Sequence, residues 1–114
     1  MKKIRLILFL LLTVSVAFAQ KDKTPKIEKA KILLDKGEVA EAQMIIDAAT
    51  THEKTKDKVK TWYFRGLIYE TIYNSEDEAV KSLSDDAYRI SVYSFLKVKQ
   101  IEPETSTYYI FSDQ

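Results

Sequence analysis

Apolar residues follow two different patterns along the chain. From Leu6 to Val16 they form an almost continuous run, interrupted only by Thr13 and Ser15. Beyond residue 24 they recur every three or four positions, which is the spacing of one face of an α-helix. The first pattern predicts a segment that enters an apolar phase. The second predicts a series of amphipathic helices.

The first periodic stretch predicts a helical hairpin. Its first helix begins at Thr24-Pro25, where a hydroxyl cap precedes a proline at the first helical position. Gly37 ends that helix as a C-terminal cap. A second helix spans Val39 to Ala49. Because so few residues separate the two helices, they must be antiparallel.

The second half predicts another hairpin with a longer connection. Thr50–Lys58 is polar and indicates a loop before a third helix, Val59–Tyr73. The fourth helix runs to Ile101 and is stopped by Pro103. Asp85 or Asp86 is expected to cap its start. Residues 74–86 are expected to form a structured loop, with a single helical turn around three apolar residues: Ala79, Val80 and Leu83. The prediction is an all-α fold of two tandem antiparallel hairpins.

The N-terminal apolar run has the layout of a secretory signal peptide. Met1–Arg5 is basic, and Ala17-Phe18-Ala19 is a small-residue cleavage site that leaves Gln20 as the new N-terminus. An uncleaved anchor is the alternative. However, an apolar helix of about 14 residues reaches roughly 21 Å, whereas a bilayer core needs about 30 Å. We therefore expect cleavage between Ala19 and Gln20, and no stable membrane anchor afterwards.

Removing residues 1–19 changes the charge of the chain. Lys2, Lys3 and Arg5 are three of its 18 basic residues, whereas none of the 17 acidic residues lies in that segment, so the mature net charge is −2. This balance argues against a nucleic-acid partner, which needs a concentrated basic face. The chain has no cysteine, so it has neither a disulfide nor a lipid-modified cysteine after the signal.

The third helix carries residues that resemble the tetratricopeptide repeat, a helical hairpin of about 34 residues that opens with W-x₂-L-G-x₂-Y. Trp62, Gly66 and Tyr69 match this pattern, and Arg65 replaces its leucine. Later positions of the pattern call for a small residue, an aromatic and a proline, and the residues with that spacing are Ser91, Phe95 and Pro103.

The first hairpin fits the same pattern more loosely. Ala30 and Ala42 occupy the two small-residue positions, 12 apart, and Ile46 stands in for the aromatic. Lys54 stands where the closing proline falls. The resemblance covers residues 23–111, with repeat one at about 23–56 and repeat two at about 59–105. Residues 74–86 are then an insertion in repeat two. Ser106–Phe111 looks like the start of a third repeat.

This resemblance implies a scaffold that binds proteins or peptides on the face formed by the first helix of each repeat. Carried over by position, that face comprises Lys31, Leu34, Asp35, Tyr63, Leu67, Glu70 and Thr71. Leu34 and Leu67 can equally be core residues, and the sequence leaves both interpretations open.

Candidates for catalysis or metal binding are weak. His52 is the sole histidine and lies in a polar loop, and without cysteine no zinc site or triad can be assembled around it. The acidic residues near Asp77 and Asp86 lack the spacing and the turn glycine of a calcium loop. We expect no enzyme activity, no metal and no cofactor.

The aromatic residues exceed what two thin hairpins can bury. They either anchor a partner or cover a missing neighbouring repeat, and we favour the second. Repeat arrays usually need three or more units, so the chain is interpreted as the N-terminal fragment of a longer exported repeat protein. The alternative is a structural domain that self-associates through its C-terminal end.

The sequence as a whole favours a bacterial interaction module, exported to the periplasm or the extracellular space, that binds a protein or peptide partner without catalysis.

Overall fold

The computed structural model describes residues 22–102, which form five α-helices and no β-strand. In chain order these are α1 Ile27–Asp35, α2 Val39–Ala49, α3 Val59–Asn74, α4 Glu78–Lys81 and α5 Ala87–Ile101. The predicted all-α fold is confirmed. The signal segment with its Ala19–Gln20 cleavage site, Pro103 and the segment Ser106–Phe111 lie outside the described residues.

The turn between α1 and α2 is built as the sequence predicts. Gly37 adopts a φ of 81°, a left-handed conformation that glycine enters without steric cost. Its N–H donates to Leu34 O at 2.9 Å, and the N–H of Glu38 donates to Leu33 O at 2.9 Å. These two bonds form a Schellman motif, which satisfies the last carbonyls of α1 and reverses the chain.

The predicted cap at Thr24 is wrong. Helix α1 begins at Ile27, and Lys26 at its N-cap position makes no side-chain cap. The Thr24 hydroxyl and N–H instead donate to the Asp22 carboxylate, at 2.6 and 3.0 Å. These bonds from Thr24, with a smaller contribution from Lys54, lower the pKa of Asp22 to about 2. The Thr24 side chain is thus oriented towards Asp22, which precedes it in the chain, and not towards the N–H groups at the start of α1.

The predicted side-chain cap of the last helix is wrong as well. Asp86 occupies the N-cap position of α5, but its carboxylate pairs with the Arg89 guanidinium rather than with a helix N–H. The inserted turn has the cap instead, because Asp77 Oδ1 accepts the N–H of Ala79 at 2.9 Å at the start of α4. The helical turn predicted within 74–86 is present.

Successive long helices pack antiparallel to one another. Asp47 at the end of α2 bonds Arg65 in α3. Between α3 and α5, Tyr73 contacts Tyr88 while Trp62 contacts Tyr93 near the opposite end. Helices α1 and α3 are parallel neighbours, joined near their starts by a 2.9 Å ion pair between Glu28 and Lys60. Helix α3 packs against all four other helices.

The core lies between α1, α2 and α3 and reaches the start of α5. Its buried members are Ile27, Ala30, Leu33, Val39, Ala42, Ile46, Phe64, Ile68, Tyr69, Ile72 and Ala87. Ala30 and Ala42 are fully buried, which brings the backbones of α1 and α2 close together. The core fixes α3 as the platform on which α5 packs.

The loop between the hairpins is polar but firmly bonded. The buried Thr55 hydroxyl donates to Ala49 O at 2.7 Å, and the buried Thr61 hydroxyl donates to Thr55 O at 2.8 Å. The Trp62 indole donates to Lys56 O at 2.7 Å. His52 is half-buried, and its Nδ1 accepts the N–H of Lys54 at 3.1 Å. These bonds hold α3 at a fixed angle to the first hairpin.

Candidate functional site

The predicted binding face is only partly available to a partner. Leu34, Tyr63 and Leu67 are half-buried and pack against the core. Lys31 and Asp35 bond each other at 2.7 Å across one helical turn. The remaining two residues of the face, Glu70 and Thr71, are exposed. The structure thus places three of the seven residues of this face against the core.

A groove lies instead between the end of α3 and the outer side of α5. It has a volume of about 440 Å³ and is lined by Glu70, Tyr73, Asn74, Tyr88, Ser91, Val92, Phe95, Leu96 and Lys99. Its residues on α5 recur at intervals of three and four, so they form one stripe along the helix. Glu70 belongs both to this groove and to the face predicted from the sequence.

The apolar residues of this groove are open to solvent. Tyr88 is 61% exposed, Tyr73 53%, Leu96 50% and Val92 40%. Most of the large exposed apolar side chains of the described residues lie on α5 or at the end of α3, whereas the first hairpin contributes Ile32 and Met44. A contiguous apolar patch of this kind on a small protein is a candidate interaction surface.

The floor of the groove depends on a glycine in α3. Phe95 lies directly over Gly66, where any side chain would collide with its ring. The buried Ser91 hydroxyl donates to Gly66 O at 2.8 Å. The centroid of the Tyr63 ring lies 6.1 Å from that of the Phe95 ring. The close approach of α5 to α3 therefore sets the depth of the groove and connects it to Tyr63 of the predicted face.

A polar cluster fixes the side of α3 that faces α2. The Tyr69 hydroxyl donates to Asp47 Oδ2 at 2.7 Å, and Arg65 Nε donates to Asp47 Oδ1 at 3.1 Å. Gln43 Nε2 donates to Tyr69 Oη at 3.2 Å and to Leu83 O at 3.1 Å, so it joins α2 and α3 to the inserted segment. Arg65 also lies over the Tyr69 ring, at 5.3 Å. We infer that this cluster holds α3 in place against α2 and the inserted segment.

Tyr69 provides a spectroscopic test of this cluster. Burial, together with the bond to Asp47, raises the pKa of its phenol above the usual value. The folded pKa exceeds the unfolded one, so the stabilisation is complete below about pH 10 and is lost as pH rises through the folded pKa. In a phenolate absorbance titration, Tyr69→Phe is expected to remove a component above that pH. Tyr88→Phe, at an exposed position, should leave it. Identical absorbance curves above that pH for wild type and Tyr69→Phe would contradict the raised pKa of Tyr69.

The residues that the repeat resemblance singled out are mostly structural here. Trp62, Tyr69 and Ser91 are buried, and Phe95 is half-buried in the groove floor. Among residues 22–102, no group of three or more His, Asp or Glu side chains is arranged to hold a metal ion. None of the helices in that part of the chain is long and apolar enough to cross a membrane.

The groove was not predicted from the sequence, because the repeat resemblance implies a different face of α1 and α3. The signal that indicates the groove was present: Tyr88, Val92 and Leu96 form a second apolar stripe on α5, beside the stripe that enters the core. A helix with two apolar stripes has more apolar surface than one neighbour can cover.

Comparisons with known proteins find no matching family model, no matching curated protein and no matching solved structure. The resemblance to the tetratricopeptide repeat therefore rests on the residues quoted above, and it stays a prediction.

Proposed function

We propose that the mature chain is an exported interaction module that binds an apolar helical segment of another protein in the groove between α3 and α5. The observation that carries this proposal is the open stripe of Tyr88, Val92 and Leu96 over a preformed floor. Apolar side chains in such a groove contribute binding free energy because they leave water on docking. Aromatic residues are frequent anchors in interfaces of this type.

The shape of the groove favours a helix as the bound element. Its stripe on α5 extends from Tyr88 to Lys99, eleven helical steps or about 16 Å. An amphipathic helix presents a complementary stripe at the same three- and four-residue spacing. Glu70 and Lys99 add one acidic and one basic group to the lining, so polar groups at the edges of the partner helix can fix its direction.

Export and the absence of catalysis belong to the same proposal. The basic start, apolar run and Ala19–Gln20 site support removal of residues 1–19 and release outside the bacterial cytoplasm, in the periplasm or beyond. We propose neither a cofactor nor a reaction, because the groove is lined mainly by apolar side chains. The N-terminus of the exported protein, read by mass spectrometry, should begin at Gln20.

Charge substitutions in the groove test the binding site. Val92→Glu with Leu96→Glu is expected to abolish partner capture by the immobilised mature chain, because docking would bury two carboxylates among apolar side chains. The matched control is Ile32→Glu with Met44→Glu, which changes two exposed apolar residues of the first hairpin. Quantitative mass spectrometry of crosslinked proteins from the exported fraction, with circular dichroism as the folding check, gives the comparison.

The outcomes separate the alternatives. Specific proteins that are captured by wild type and the control, but lost in the groove variant, support the proposal. Equal loss in both variants, or no loss in either, contradicts it. Light scattering detects the remaining alternative, a self-associating structural domain. A dimer that dissociates in the groove variant assigns the groove to a second copy and contradicts the partner proposal.

Tyr63→Ala with Leu67→Ala tests the predicted face in the same capture assay.

A further inference from the structure

The chain leaves α5 at one end of the groove. Lys99 lines the groove, α5 ends at Ile101, and Glu102 has extended backbone angles, φ −103° and ψ 145°. The next residue in the sequence is Pro103, which cannot continue the hydrogen-bonding pattern of a helix. Any segment that follows α5 therefore starts beside the exposed apolar stripe of α5.

The sequence that follows contains a short apolar cluster. Tyr108, Tyr109, Ile110 and Phe111 are consecutive, and the residues around them are mainly Thr, Ser, Glu and Asp. Six chain steps lead from Glu102 to Tyr108 and nine lead to Phe111, and in extended form they reach about 20 Å and about 30 Å. The far end of the groove stripe, Tyr88, is fourteen helical steps or about 21 Å from Glu102. The cluster can therefore reach every position along the groove.

We propose that the segment Tyr108–Phe111 occupies the groove between α3 and α5 of the same chain when no partner is bound, and that a partner must displace it. This inference rests on the proposed function only in taking the groove as a docking surface. A short tether gives the segment an effective concentration in the millimolar range. At lower protein concentrations, a second copy of the chain cannot match that value.

An intramolecular occupant also accounts for how the apolar stripe can be tolerated in an exported protein. Exposed patches of this kind promote aggregation when nothing covers them. The same occupant sets a threshold for binding, because the apparent affinity for a partner falls by the fraction of molecules with an open groove. The partner then binds by replacing the segment Tyr108–Phe111 in the groove.

The test uses the full mature chain with Tyr109→Ala and Phe111→Ala, and compares amide chemical shifts by NMR with those of wild type. The matched control is Thr107→Ala with Ser112→Ala, which removes polar groups on either side of the apolar cluster. We expect the apolar variant to perturb amides at Tyr73, Val92 and Leu96, independently of protein concentration. The control should leave those amides in place.

Two results would overturn the proposal. Shift changes confined to residues 105–114 mean that the segment does not reach the groove. Groove shifts that disappear on dilution assign the occupant to a second copy.

The capture assay separates this proposal from the preceding one. In one outcome, Val92→Glu with Leu96→Glu abolishes partner capture, but Tyr109→Ala with Phe111→Ala leaves the groove amides unchanged. This outcome leaves the proposed function intact and rejects the intramolecular occupant. In the opposite outcome, the groove amides respond to the segment variant, but partner capture is unaffected by the two glutamates in the groove. This outcome supports the intramolecular occupant and rejects the proposed function. If both proposals hold, the chain with Tyr109→Ala and Phe111→Ala binds its partner several-fold more tightly than wild type. The increase in affinity equals the inverse of the fraction of wild-type molecules with an open groove.

Discussion

Replacing Gly66 by valine is expected to destabilise the protein, because it crowds the contact between α3 and α5. A Cβ at this position would lie 2.6 Å from Phe95 Cδ1, which is closer than packed carbon atoms approach. The ring must move or α5 must shift, and overpacking of this kind costs about 1–3 kcal/mol. The better helix propensity of valine offsets less than about 1 kcal/mol of that cost. We expect a net loss of about 2 kcal/mol in urea unfolding followed by circular dichroism.

Two further variants show whether the ring contact is the cause. Thr71→Val places the same side chain at an exposed position of the same helix, where it matches the shape of threonine, and should change the unfolding free energy by less than about 0.5 kcal/mol. Phe95→Ala in the Gly66→Val background should recover part of the loss, because the added methyl groups then have space. A double-mutant cycle without coupling would show that Gly66 matters for a reason other than Phe95.

Replacing Ile68 by alanine is expected to remove about 3–4 kcal/mol of stability. Ile68 is fully buried in the core around α3, so truncation leaves a cavity that the surrounding helices cannot close. Leu67 is its neighbour on α3 and is half-buried. Leu67→Ala should cost about 1–2 kcal/mol, since part of its side chain already contacts water.

This pair of variants also decides the interpretation of Leu67 that the sequence leaves open. A cost at Leu67 equal to that at Ile68 would make Leu67 a core residue and remove it from any binding face. A small cost, combined with a loss of partner capture in Tyr63→Ala with Leu67→Ala, would support the predicted face beside the groove. Thermal unfolding at matched protein concentration is sufficient for the comparison.

The positions of the helices were predictable because the spacing of apolar residues and the positions of the turn residues agree in this sequence. Apolar spacing locates α2 and α3 to within a residue, and Gly37 ends α1 by a conformation that no other residue adopts as readily. The helix starts were not predictable from residue type alone. Thr24 and Asp86 are residue types that often cap helices. In the structure, however, Thr24 donates to Asp22 and Asp86 accepts from Arg89.

The candidate site was predictable only in outline. The excess of aromatic residues indicates an exposed surface, but single-sequence reasoning cannot show which of two stripes on α5 faces α3. That choice depends on Gly66, which admits Phe95 and thereby turns Tyr88, Val92 and Leu96 outward. The roles of Asp47 and Gln43 were likewise hidden, because their partners in α3 and near α4 are 18 to 40 residues away in the chain.

The inserted α4 has a consequence for the order in which the hairpins form. Helices α1 and α2 are separated by three residues, Lys36–Glu38, whereas α3 and α5 are separated by twelve, Ser75–Asp86. Closing the longer connection costs about 1 kcal/mol more chain entropy. We therefore expect the contact between Ser91 and Gly66 to form after the first hairpin during refolding. The surface that forms the groove is then assembled late, because it depends on that contact.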